Sequence, residues 1–108
     1  MVPIILVILS FVLLTSSPAY AQVDEGIKVY AAQKCSICHS INGVGNKKFP
    51  LDSVGTKLTA GQIREWIVDP VAAAKKANST AKPAMKAYPN LPKAELDALV
   101  AYMQSLKK

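Results

Sequence analysis

The sequence has few of the residues from which metal and catalytic sites are usually assembled. Its 108 residues include one histidine and two cysteines. A structural zinc site needs four protein ligands, and these residues supply three. Aromatic residues make up only 6% of the chain, and they are not interleaved with the lysines as single-strand nucleic-acid binding requires. No stretch alternates apolar and polar residues long enough to make a useful strand, and no segment repeats. An all-α domain remains.

Charge is missing from the amino-terminal end. No lysine or arginine precedes the apolar run from Ile4 to Leu14. That run falls short of the roughly 20 residues an ordinary transmembrane helix needs. Polar residues and Pro18 follow it, then Ala19-Tyr20-Ala21, a small-x-small pattern. Residues 1–21 therefore read as a secretory signal cleaved before Gln22. The missing basic residues leave open a mis-called start codon or a segment retained as an anchor. All 13 basic and all 7 acidic residues lie beyond Gln22, so the remaining domain, residues 22–108, carries the whole formal charge of +6. That sign suits acidic partner proteins or anionic membrane surfaces. A domain this short buries a modest core and needs extra support from a disulfide, a metal or a cofactor.

The periodicity predicts a helix over Asp24–Lys34, opened by acidic residues and with Ile27, Tyr30 and Ala31 on one face. Ser40 to Lys57 reads as mainly loop, rich in Gly, Asn, Lys and Pro. Thr59 and Gln62 form a capping-box pair ahead of Ile63, Trp66 and Ile67, and that helix ends near Asp69, before Pro70. Asp69 and Pro70 then start a short helix through Val71 to Ala77. Three prolines, Pro83, Pro89 and Pro92, keep 78–92 from forming one helix. The last helix, Lys93–Leu106, repeats Leu96, Leu99, Val100, Met103 and Leu106 at helical spacing, with Lys107 and Lys108 at its negative end.

The first helix runs into Cys35-Ser36-Ile37-Cys38-His39. Two thiols at this spacing can each add to one vinyl group of a haem, and the adjacent histidine then becomes the proximal iron ligand. A thioredoxin-like redox pair expects a βαβ setting that the chain lacks. A plain disulfide suits export but leaves His39 without a role. With His39 as one ligand, a methionine sulfur is the usual second. Met103 lies on the apolar stripe of the last helix and reads as core. Met85 lies in the irregular stretch Lys82-Pro83-Ala84-Met85-Lys86-Ala87-Tyr88-Pro89, where a loop can fold it over the iron. The alternatives for Met85 are a gap-filling hydrophobe and an open or water-bound iron.

Over nearly all of its length beyond Gln22, the chain resembles the bacterial class I c-type cytochromes. The resemblance rests on the Cys-x-x-Cys-His segment, on Met85-Lys86-Ala87-Tyr88-Pro89-Asn90-Leu91, and on Glu95-Leu96-Asp97-Ala98-Leu99-Val100-Ala101-Tyr102. It implies three to four helices around one covalently bound haem c. It also implies that Gly26 crosses closely against Tyr102, although an ordinary helix glycine would read the same way. Pro50 falls where the family places a carbonyl that accepts the other ring N–H of the haem histidine, here without the glycine that often precedes it. Trp66 resembles the aromatic at the haem edge that can bond a propionate through its indole N–H; plain core packing is the competing reading. Pro92 stands where Ser, Thr or Asp often caps the last helix.

An iron with both axial positions filled by protein has no place for a substrate. The expected function is therefore periplasmic single-electron transfer between redox proteins, without catalysis. Lys34, Lys47, Lys48, Lys82 and Lys86 are candidates for steering a reductase or terminal oxidase with an acidic face; a generally solvated lysine surface is the alternative. Two further readings stay open: a gas sensor or peroxidase-like protein if the sixth position is free, and a membrane-held haem subunit of a larger complex if the signal is retained.

Overall fold

The computed structural model describes residues 18–108. The apolar run and most of the expected signal lie outside the described residues. Helix α1 spans Pro18–Ala32, beginning earlier and ending sooner than the expected Asp24–Lys34. A proline suits a first helical position because its φ is preset and it needs no N–H partner there. The point where cleavage was expected, before Gln22, therefore falls within this helix. Lys34 ends it by adopting φ 57°, a left-handed conformation uncommon outside glycine. The buried face of α1 differs from the expected one. Ile27 is 45% exposed and Ala31 is exposed, while Gly26 and Val29 are buried and Tyr30 is half-buried.

A 3-10 turn, Cys35–Ile37, leads into three short strands, β1 (His39–Ile41), β2 (Val44–Gly45) and β3 (Phe49–Pro50). They form a sheet in the order β2-β1-β3, with β2 antiparallel and β3 parallel to β1. Asn42 and Gly43, at φ 51° and 77°, make the β1–β2 turn, which needs positive φ at both central residues. The segment expected to be mainly loop thus carries a small sheet and, beyond it, helix α2 (Val54–Lys57).

Helix α3 (Ala60–Val68) starts on the complete capping box. The Gln62 amide donates to Thr59 Oγ1, and the Thr59 amide donates to Gln62 Oε1. Helix α4 (Pro70–Lys76) follows at once, with Pro70 in its first turn and the Asp69 carboxylate accepting from the Ala72 amide at 3.2 Å. Helix α5 (Lys93–Ser105) begins after Pro92, which supplies no side-chain cap. No helix among the described residues is long and apolar enough to cross a membrane.

The core joins Val29 of α1, Ile41 of β1, Ile63 and Ile67 of α3, and Leu96, Leu99, Val100 and Met103 of α5. Helices α1 and α5 cross at Gly26. A methyl group there would sit 2.6 Å from Tyr102 Cβ and closer still to the Ala98 carbonyl. One helical turn on, Tyr30 and Tyr102 meet edge to face, with centroids 5.8 Å apart and planes at 86°, a favoured aromatic geometry. Asp97 of α5 takes Arg64 of α3 and Lys93 as partners. Hydrogen bonds from Lys93 and then Arg64 hold its carboxyl below the ordinary value. At the other end of α5, the Gly55 amide donates to the Leu106 carbonyl at 2.8 Å and ties α2 down.

Gly26→Ala is expected to weaken the fold. Overpacking costs about 1–3 kcal/mol, and the upper part of that range, about 2–3 kcal/mol, applies because the nearest blocking atom is the Ala98 backbone carbonyl. The gain in helix propensity returns about 1 kcal/mol. A net loss of about 1–2 kcal/mol should appear as a lower denaturant midpoint, followed by circular dichroism. An unchanged midpoint would mean that the crossing is looser than described.

Candidate functional site

The turn that carries Cys35, Cys38 and His39 is fixed from both sides. Inside it, the Cys38 amide donates to the Cys35 carbonyl at 3.2 Å. Across from it, Asn46 donates twice: its backbone amide to the Ser36 carbonyl at 3.0 Å, and its side-chain amide to the Ile37 carbonyl at 3.1 Å. The preceding Gly45 has φ 103°, a conformation that favours glycine. A side chain there would also strike the His39 carbonyl and lie 3.1 Å from that of Ser36. The two cysteines are not joined to each other; Cys35 is half-buried and Cys38 exposed. Burial pushes the Cys35 thiol above its ordinary value, and the neighbouring Cys38 adds to the effect against a backbone hydrogen bond that lowers it.

His39 Nδ1 lies 2.9 Å from the Phe49 carbonyl. A carbonyl can only accept, so in the neutral ring Nδ1 carries the proton and Nε2 keeps a free lone pair. That is the arrangement in which a carbonyl holding one ring nitrogen prepares a histidine to bind a metal through the other. The acceptor corrects the expectation for Pro50. The parallel pairing sets Phe49 opposite His39 and Pro50 opposite Ser40, so the imidazole meets the carbonyl one residue earlier. Pro50 itself is exposed and does not line the cavity described next.

One large cavity, about 590 Å³, brings most of the expected site together. Cys35, Cys38 and His39 line it, as do Trp66 of α3 and Met85 of the 77–92 connection. Its apolar wall comes from Leu51, Val54, Leu58, Ile63, Ile67 and Leu99. Met103 is buried in the core, as expected, and also reaches this wall. The lining includes four lysines, Lys34, Lys75, Lys82 and Lys86, and no acidic side chain. Lys86 also lies 5.4 Å from the centre of the Tyr88 ring. Lys47 and Lys48 do not line the cavity; Lys48 instead sits 5.5 Å from the centre of the Phe49 ring.

Comparison with known proteins bears directly on this arrangement. The family model for cytochrome c matches residues 23–107. The chain belongs to the cytochrome c family. It is also 29% identical, over 99 residues, to a protein of Alkalihalophilus pseudofirmus described as cytochrome c oxidase subunit 2. That alignment covers 83% of this chain but 27% of the relative, so the chain spans about a quarter of the relative's length. No solved structure matches the chain. The mostly helical fold is consistent with the family, and the small sheet serves to carry the histidine and its acceptor.

Membership of the cytochrome c family implies haem c and electron transfer. The residues present fit that group. The cavity volume lies within the range of about 300–1,000 Å³ that encloses a cofactor-sized ligand. Its donor set is two thiols, an imidazole with one ring nitrogen already engaged, and a thioether. No cluster of three or more His, Cys, Asp or Glu offers an alternative metal site among the described residues. Three contributors escaped the sequence reading: the Phe49 carbonyl, Lys75 and Tyr30. Phe49 needed the strand register to be known. Lys75 needed the direction of α4. In sequence Tyr30 is only one of the residues on a helix face, although it stands five positions before Cys35.

Proposed function

We propose that this protein is an exported single-electron carrier holding one haem c, attached through Cys35 and Cys38, with His39 and Met85 as the axial ligands. The observation that carries the reading is that all four side chains line one apolar cavity. Haem, when bound, supplies one-electron iron chemistry without needing a substrate site. The Phe49 carbonyl orients His39, which fixes the ring and makes its free nitrogen a stronger ligand. Met85, a soft and weakly basic donor, favours the reduced iron and so a higher potential. The apolar wall limits water at the iron and keeps reorganisation small. Trp66 is the candidate indole donor to a propionate.

Residues 1–21 are proposed to be removed on export to the periplasm, leaving 22–108 as the working domain. A second reading is supported by the likeness to an oxidase subunit: a haem domain held at the membrane as part of a larger redox assembly. Intact mass separates the two. Protein made in a periplasm with haem-maturation machinery should have a mass that begins at Gln22 and includes one covalent haem. A mass that still includes residues 1–21 would favour the membrane-held form, and a mass without haem would remove both.

The oxidised protein should show the weak red absorption band of a sulfur–iron(III) bond, and Met85→Ala should lose that band and gain carbon monoxide binding in the reduced state. If wild type already binds carbon monoxide readily, Met85 is not a ligand and a gas-sensing or peroxidase-like role takes precedence.

Lys34, Lys75, Lys82 and Lys86 surround the cavity with one sign of charge, which suits docking to an acidic face on a reductase or oxidase. Electron-transfer rates with such a partner should fall steeply as salt rises from about 10 to 150 mM, where the screening length shortens from about 30 to 8 Å. A rate insensitive to salt would leave these lysines as a solvated surface only.

A further inference from the structure

The stretch that carries Met85 is tied down at its ends and not between them. Among the described residues, no hydrogen bond joins 80–87 to another element; the Ala81 amide reaches only Ser79 Oγ, at 3.4 Å. Met85 is also the one residue of 80–87 that is not exposed. A stretch with so few buried contacts and backbone bonds opens at low cost. On one side of it, the Ser79 amide donates to the Ala74 carbonyl at 2.9 Å. On the other, the Tyr88 amide donates to the Ile67 carbonyl, also at 2.9 Å. Ile67 lies in the last turn of α3, where carbonyls have no partner within the helix, and its side chain lines the cavity. The Tyr88 ring is half-buried against the core and lines the cavity too. Its hydroxyl reaches the Gln33 carbonyl, just past α1, at 3.4 Å.

We infer that Tyr88 is the positioning residue that seats Met85 on the iron, by pinning its segment to the end of α3 and closing it against the core. The inference rests on the reading of Met85 as an axial ligand. Met85 stands three residues from Tyr88 and six from Ser79. At about 3.5 Å per extended residue, the Tyr88 anchor keeps Met85 within about 10 Å, and the Ser79 anchor alone within about 20 Å. Release of Tyr88 therefore lets the sulfur leave the cavity and opens the iron to an added ligand. The fraction of molecules with Tyr88 released then sets how tightly that ligand binds. An alanine at this position keeps the amide but removes the ring that holds it in place.

The test uses haem-loaded protein, with the red sulfur–iron(III) band of wild type recorded first. A wild type without that band overturns the axial role of Met85, and this inference with it. With the band present, imidazole, a good donor to iron, is titrated into the oxidised protein until the band is lost. Tyr88→Ala should bind imidazole about tenfold more tightly than wild type. Tyr88→Phe keeps the ring and the backbone bond and should stay within about twofold, because a hydroxyl contact at 3.4 Å is weak. Gly26→Ala, which loosens the fold away from the cavity, should leave imidazole binding unchanged. Unchanged binding in Tyr88→Ala, or an equal gain in Gly26→Ala, overturns the inference while Met85 stays a ligand. Wild type supplies a check that needs no variant to fold. Saturating imidazole should speed hydrogen exchange at its Tyr88 amide by about tenfold, and an unchanged rate overturns the inference as well.

Discussion

The constraint on which this structure depends is the apolar cavity at its centre. Removing contacts from a protein interior costs about 24 cal/mol per Å³ of hollow left behind. A hollow of about 590 Å³ is large beside the core of so short a domain, whose stability is a small difference between large terms. The core residues form a shell, with Ile63, Ile67, Leu99 and Met103 contributing to both core and cavity wall. In a domain this small, the group that fills the cavity is part of the core.

Around that cavity the elements divide the work. The α1–α5 crossing at Gly26 holds α1 against α5, and Lys34 beyond its end turns the chain so that Cys35 and Cys38 begin the cavity wall. The small sheet has a different task. Its short strands hold His39 against a carbonyl and leave one ring nitrogen free. Helices α3 and α4 follow each other without a loop, because Asp69 closes one and caps the next. They bring Trp66 and Lys75 to the same cavity. The connection after α4, broken by prolines, is left irregular enough to bring Met85 over it.

Much of this was legible because it is local. Thr59 and Gln62 satisfy each other within one helical turn, and Asp69-Pro70 acts within three residues. The Leu96, Leu99, Val100, Met103 stripe is set by helical period alone. The cysteine spacing also declares its chemistry without any fold. Other features were less legible. Asn42-Gly43 carries a hairpin signature, yet its strands are two and three residues long, too short for any alternation to emerge from the surrounding polar segment. Ile27 looked like a core residue on α1, but α5 lies across Gly26 and Val29, leaving Ile27 largely outside. A glycine gives no hydrophobic signal, although it is what allows the closest approach.

The sequence by itself determined the mostly helical character, the helix starts at Thr59 and Asp69, the terminal helix, and the thiol, imidazole and methionine groups available for a haem. Each follows from neighbours within a turn or from the chemistry of a side chain. Only the tertiary structure decided that Phe49, one residue before Pro50, supplies the acceptor for His39, because strand register is a relation between distant segments. It alone decided which lysines border the cavity, and it alone left the Tyr30 hydroxyl buried without a partner. Burial depends on what the rest of the chain packs over a residue, and no short stretch of sequence carries that information.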